Sequence, residues 1–178
     1  MASGPSGDAA AVLLGGFTFV KNSTENDYFK LNTPIEIAFT VIHPKIELKT
    51  KDSRAVVKDK VLLKNMIEQS ANLGAFISGL YTEDYDLIGR SLKDVIIEPL
   101  RSVLIPKFEK IKSVSINSGA LGCGISGSGP SVFAMCKGVT TAINVGNAMK
   151  KIYDKLDLDY DVHISCVNDI GIKILKTN

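Results

Sequence analysis

The sequence predicts an α+β fold whose strands and helices follow one another in the order β-α-β-β-α-β. Two observations support this order. From residue 36 onward the spacing of the apolar residues switches between the alternation typical of strands and the three- to four-residue spacing typical of helices. The glycine-rich segment GALGCGISGSGPSVFA at 119–134 is an extended apolar pattern interrupted by a turn, which is typical of two adjacent strands. The 178 residues are 45% hydrophobic and 22% charged, the composition of an ordinary globular domain.

The amino-terminal region is expected to start with a flexible end. Residues 1–12 are mostly Gly, Ala, Ser and Pro and offer little to bury, so we interpret them as a linker or a cloning-derived segment. The folded domain is then predicted to span 13–178. Its first strand is expected at 14–20, LGGFTFV, followed by a polar connection at 21–34.

The remaining elements follow from apolar spacing. IEIAFTVIHP at 35–44 is rich in β-branched and aromatic residues and predicts a strand. Strands are also expected at Leu121–Ser126, Ser131–Cys136, 161–167 and, briefly, 171–175. Helices are expected over 60–81, around Tyr85–Lys93 and Phe108–Ser115, and over 140–156 with Thr140 or Thr141 as N-cap. This is a ferredoxin-like antiparallel sheet with extra helices in the first crossover.

Charge and composition argue against several partners. The net charge is +2 and no basic stripe with interleaved aromatic residues occurs, so no nucleic-acid partner is expected. No apolar stretch approaches the ~18 residues that span a membrane, and the first residues do not resemble a signal peptide. We therefore expect a cytoplasmic protein.

The cysteines and histidines do not predict a metal site. Cys123, Cys136 and Cys166 lack CxxC spacing and lie in apolar runs, where a free cysteine behaves as a small buried residue. His43 and His163 are each isolated in strand-like segments. No metal ligand set is expected from these residues.

The glycines at 122, 124 and 127 form a G-x-G-x-x-G pattern, which a dinucleotide site would place before a helix. Here Pro130 and the extended pattern SVFAMC follow instead, so that interpretation fails. A Walker A loop fails as well, because no Lys-Ser/Thr follows the glycines. Two interpretations of the turn stay open, a plain hairpin and an anion-binding loop of backbone N–H groups.

Three segments in this order, TKDSRAVV at 50–57, EPLRSVLIPKF at 98–108 and the glycine-rich 119–134, resemble the carboxy-terminal half of the homoserine kinases, a family of GHMP small-molecule kinases. LLGGF at 13–17 and NDIGIKIL at 168–175 fit the same pattern. The resemblance implies ATP- and Mg²⁺-dependent phosphorylation of the hydroxyl of L-homoserine in threonine biosynthesis.

The resemblance also implies residue roles. Arg54 and Arg101 match the arginines that hold the substrate carboxylate, and a guanidinium can bind a carboxylate with two parallel hydrogen bonds. Gly127, Ser128 and Gly129 match a loop near the nucleotide and the substrate. No catalytic residue is assigned.

The chain departs from the family pattern in three places. PSGDAAAV at 5–12 has no counterpart of the family His-x-Asp-Asn motif, and Lys107 replaces a family glycine. The family's phosphate-binding loop, P-x-x-x-G-L-G-S-S-A, has no match in the sequence. We therefore expect a fragment whose partner is the missing amino-terminal ATP lobe. The fragment alone is expected to bind neither ATP nor Mg²⁺ and to be inactive. A homodimer is left open.

Two other hypotheses stay open. One is a free-standing ferredoxin-like module that binds an amino acid through Arg54 and Arg101 without chemistry. The other is the corresponding half of another GHMP kinase, of the mevalonate or sugar type. The arginine pair argues against the latter, because those substrates do not all present an α-amino acid carboxylate.

Overall fold

The computed structural model describes residues 7–22, 27–48, 55–173 and 175. The helices are α1 (Gly7–Leu14), α2 (Leu63–Thr82), α3 (Tyr85–Ser91), α4 (Glu98–Arg101), α5 (Phe108–Asn117) and α6 (Val139–Asp154), with a 3₁₀ turn at Ser102–Leu104. The strands are β1 (Phe17–Asn22), β2 (Asp27–Leu31), β3 (Ile37–Pro44), β4 (Ala120–Ile125), β5 (Val132–Lys137) and β6 (Tyr160–Cys166). Within the described ranges, no helix has the length and apolar character needed to cross a bilayer.

The main sheet has four strands in the spatial order β4-β5-β3-β6, and every neighbouring pair is antiparallel. The central strand β3 places Ala38 opposite Cys136 on one side and opposite Cys166 on the other. Since helices separate β3 from β4 and β5 from β6 along the chain, this is the ferredoxin-like arrangement. The predicted α+β fold is confirmed.

Helices cover both faces of the sheet, as the burial of β3 on both of its sides shows. Its alternate residues Ala38, Thr40 and Ile42 are fully buried, and Ala38 and Ile42 pack in the cluster formed with α5 and α6. On the opposite face of the strand, Ile37 packs in a second cluster that includes Leu80 of α2. A strand buried on both faces has an almost continuous apolar sequence, as IEIAFTVIHP does.

Helix α6 presents the predicted apolar face to the sheet, with Ala142, Val145 and Met149 fully buried. The buried hydroxyl of Thr40 donates a hydrogen bond to the carbonyl of Ala142 over 2.6 Å, which satisfies both polar groups. The predicted threonine N-cap of α6 is wrong. The helix begins one residue earlier, at Val139, and its N-cap is Gly138 with a φ of 81°.

The amino-terminal region differs from the expectation. Residues 7–12, expected to be part of a flexible end, belong to α1, and Ala10 of this helix is only 2% exposed. The first strand begins at Phe17 rather than at residue 14. The expected polar connection contains β2, which pairs with β1 so that the rings of Phe19 and Phe29 lie 5.4 Å apart.

The prediction of a short strand at 171–175 is also wrong for the described residues of that segment. These residues instead lie beside the end of α1 and the connection between α1 and β1. The N–H of Ile172 donates to the carbonyl of Val12 over 3.0 Å, and that of Gly16 donates to Asn168 over 2.8 Å. A Cβ on Gly15 would lie 2.6 Å from the nitrogen of Gly171. The LLGGF and closing segments therefore contact each other closely, and glycine permits that approach.

The cysteines are not all buried as expected. Cys123 and Cys136 are buried, but Cys166 at the end of β6 is exposed. Burial raises the pKa of the Cys123 thiol to about 12 and that of Cys136 to about 11.

Iodoacetamide at pH 8 should therefore modify the folded chain once, at Cys166. A thiol with a pKa near 12 is thiolate in only about one molecule in 10⁴ at that pH, and the thiolate is the nucleophile. Intact mass spectrometry should show one adduct in buffer and three in guanidinium chloride. Cys166→Ser should remove the adduct seen in buffer, and a second rapid adduct on the folded chain would contradict the buried placement.

Candidate functional site

A cleft of about 210 Å³ lies beside β4, between α2 and the segment 91–101. Gln69 and Asn72 of α2 form part of one side, and Glu98 and Arg101 of α4 form part of another. Gly124 of β4 and Gly127 of the following turn also line it. The cleft therefore combines both signs of charge with exposed backbone, which suits a small polar molecule.

The irregular segment 93–97 is fixed by side chains that bind its backbone. Gln69 accepts a hydrogen bond from the N–H of Val95 over 2.9 Å. Asp94 accepts from the N–H groups of Ile96 and Ile97 over 2.9 and 2.8 Å. These contacts hold the start of α4, a four-residue helix too short to be stable by itself.

Arg101 is the last residue of α4, and its guanidinium reaches the glycine turn. Its Nη1 donates a hydrogen bond to the carbonyl of Gly127 over 3.1 Å. The structure thus brings together two of the segments singled out in the sequence. Arg54, the other predicted carboxylate ligand, lies outside the described residues.

The glycine turn connects β4 to β5 as predicted. Ile125 pairs with Val132, and the N–H of Ser126 donates to the carbonyl of Ser131 over 2.8 Å. Gly127 and Gly129 have φ values of 58° and 83°, which favour glycine, and Ser128 between them is half-buried. Because a strand follows the turn, the rejection of a dinucleotide-binding loop is confirmed.

Lys107, which stands where the family pattern has glycine, has a glycine-like backbone conformation. It precedes α5 and has a φ of 56°, in the left-handed region that favours glycine. The lysine therefore occupies a glycine-like backbone position. It is the N-cap of α5, which begins at Phe108.

Glu98 is a site residue that the sequence reasoning missed. Its side chain is 12% exposed and forms an ion pair with Lys112 of α5, which is 28% exposed. Burial raises the pKa of the Glu98 carboxyl, and the hydrogen bond and charge of Lys112 oppose this rise. The available signal was a charged residue within the apolar run VIIEPLRSVLIP.

The described residues contain no group of three or more His, Cys, Asp or Glu side chains that could hold a metal ion. Cys123 lines the cleft, but its raised pKa makes it a poor ligand or nucleophile. The charged groups available in the cleft are therefore suited to binding and orientation.

Comparison with known proteins gives a family for the region that holds this cleft. Residues 76–155 match the family described as GHMP kinases C terminal. This region is therefore similar to the carboxy-terminal domain of GHMP kinases. The matched region of this domain includes α3 to α6, β4, β5 and the glycine turn.

Beyond this match, nearly the whole chain is similar to homoserine kinases. The homoserine kinase of Chlorobium phaeobacteroides strain BS1 is 42% identical over 170 residues, which are 94% of this chain and 53% of that protein. The homoserine kinase of Chlorobaculum tepidum is 40% identical over 172 residues, or 96% and 53%. The crystal structure of homoserine kinase from Cytophaga hutchinsonii is 43% identical with a TM-score of 0.89, covering 92% and 52%. The chain spans about half the length of these relatives.

Proposed function

We propose that this chain is the substrate-side half of a homoserine kinase, which transfers the terminal phosphoryl group of ATP to the hydroxyl of L-homoserine in threonine biosynthesis. The observation that supports this most strongly is the 40–43% identity to homoserine kinases over more than nine-tenths of the chain. We place the reaction in the cytoplasm. The full-length enzyme is this chain joined to the amino-terminal half that completes it.

Within that enzyme, Arg101 and Arg54 bind the carboxylate of homoserine. The position of Arg101 supports its role, because it lines the cleft and its side chain is oriented by the carbonyl of Gly127. A guanidinium presents its N–H groups as a planar fork that matches a carboxylate. The turn Gly127–Gly129 closes the adjacent end of the cleft against substrate and nucleotide.

ATP and Mg²⁺ belong to the other half of the full-length enzyme in this proposal. No segment of the sequence matches the family phosphate loop, and the described residues contain no group of three or more His, Cys, Asp or Glu side chains that could hold a metal ion. Phosphoryl transfer depends mostly on positioning the acceptor and on electrostatic stabilisation around the phosphates. The contribution of this chain is therefore to hold homoserine so that its hydroxyl points toward the nucleotide lobe.

A substrate panel tests the proposal. The full-length enzyme should release ADP in the presence of L-homoserine, with a kcat/KM about 10⁴-fold above that for galactose, which leaves the arginines without a carboxylate. Mevalonate has a carboxylate but no α-ammonium and serves as the second comparison. Preferential turnover of mevalonate or galactose would assign the chain to another GHMP kinase, and homoserine binding without turnover would assign it to a binding module.

A further inference from the structure

His43 and Ser131 form a hydrogen-bonded pair at the exit of the glycine turn. His43 is the next-to-last residue of β3, and Ser131 immediately precedes β5. Because Ile42 pairs with Val132, His43 and Ser131 come next in the same antiparallel register and lie on one face of the sheet. His43 Nδ1 is 2.8 Å from Ser131 Oγ, and both residues are half-buried. The pair therefore connects the central strand of the sheet to the end of the turn.

Ser131 also closes the backbone of the turn. Its carbonyl accepts a hydrogen bond from the N–H of Ser126 over 2.8 Å, and the carbonyl of Ser126 accepts one from the N–H of Gly129 over 3.0 Å. The tip of the turn has less support, since a Cβ added at Gly127 would lie in open space. The position of the tip therefore depends on the contacts that hold the two ends of the turn.

Two side chains from different elements hold these ends. Arg101 of α4 donates to the carbonyl of Gly127 at the entry, and His43 of β3 contacts Ser131 at the exit. In the proposed function Arg101 also binds the substrate carboxylate, so the entry contact shares its guanidinium with the ligand. Neither His43 nor Ser131 is among the described residues that line the cleft. The exit contact is therefore independent of what the cleft binds.

We propose, resting on the proposed homoserine kinase function, that His43 is a positioning residue for phosphoryl transfer. Through Ser131 it fixes the exit of the turn, and so sets where the backbone of Gly127–Gly129 lies against the two bound substrates. Phosphoryl transfer depends on the relative position of the acceptor and the phosphate, and small displacements reduce the rate. The contact acts in either histidine tautomer, because a serine hydroxyl can donate to Nδ1 or accept from it.

The competing explanation is that the pair only fastens β3 to the start of β5. A fastening alone changes the free energy of unfolding and leaves the kcat of the folded enzyme unchanged. A positioning contact lowers kcat and leaves the KM for homoserine unchanged, because the proposed carboxylate ligands Arg101 and Arg54 are intact. This kinetic pattern also separates His43 from the two arginines, whose loss is expected to raise KM.

The test is His43→Ala in the full-length enzyme. We expect kcat to fall about 2- to 13-fold, the effect of one hydrogen bond between uncharged groups, with the KM for homoserine and for ATP within about twofold of wild type. His43→Asn, whose amide can take the place of Nδ1, should recover most of the rate. Ser131→Ala should reproduce the loss, and Ser131→Thr, which keeps a hydroxyl, should not. His163→Ala is the matched control and should change nothing, since this histidine is exposed on the neighbouring strand β6.

The double variant His43→Ala/Ser131→Ala distinguishes one shared contact from two independent effects. Both single changes remove the same hydrogen bond, so the double variant should be no slower than the slower single variant. Hydrogen exchange followed by mass spectrometry should be faster at 126–131 in His43→Ala, with β3 and β5 protected as in wild type. Ser131→Ala removes only one oxygen atom and provides the same kinetic test if His43→Ala does not fold.

An unchanged kcat in the folded His43→Ala and Ser131→Ala enzymes would overturn the proposal in favour of a structural fastening. Losses of rate that add in the double variant, or an equal loss in His163→Ala, would also overturn it. A wild-type enzyme that does not act on homoserine at all would instead contradict the proposed function, so the two failures are distinguishable.

Discussion

Alanine at Arg101 should raise the KM of the full-length enzyme for homoserine by about 10- to 150-fold. A hydrogen bond to a charged partner contributes about 1.5–3 kcal/mol, which corresponds to this range of affinity. The KM for ATP should be nearly unchanged, because the lost interaction is with the amino acid. We expect kcat to be maintained, because a contact made equally in the bound substrate and in the transition state affects KM but not kcat. Arg54→Ala should give the same kinetic pattern.

Two variants control this experiment. Arg90→Ala removes an exposed arginine of α3 and should leave both KM values unchanged. Arg101→Lys keeps the positive charge but loses the planar fork, so its KM for homoserine should lie between those of wild type and Arg101→Ala. A normal homoserine KM in both alanine variants, or a selective loss of ATP affinity, would show that the carboxylate assignment is wrong.

The main sheet could be predicted from sequence because its signals are local. The segment of β3, the face of α6 and the paired apolar runs around the glycine turn each show their own periodicity. The predictions failed for the amino-terminal and closing segments, which are held by contacts between residues far apart in the sequence. The closing segment contacts α1 through the hydrogen bond between Ile172 and Val12. No local sequence pattern indicates that these two segments are neighbours.

The site was predictable only in part. Arg101 and the turn at Gly127 were each singled out by motif, but the 3.1 Å contact between them depends on how α4 packs beside β4. Glu98 was missed because a sequence does not show which cation compensates a buried charge. Lys112, 14 residues later on α5, is the partner that makes its burial tolerable.

The 178-residue chain alone should show no homoserine-dependent release of ADP. The cleft can orient an acceptor, but phosphoryl transfer needs groups that bind the phosphates and Mg²⁺, and the sequence has no phosphate loop. Enzymes exceed the uncatalysed rate by at least about 10⁶-fold, so losing these groups should bring turnover to background in a coupled assay. The full-length enzyme at the same concentration is the positive control, and the circular dichroism spectrum of the chain verifies that it is folded. Homoserine-dependent turnover by the folded chain, abolished by Arg101→Ala, would mean that the phosphate-binding groups lie within these 178 residues after all.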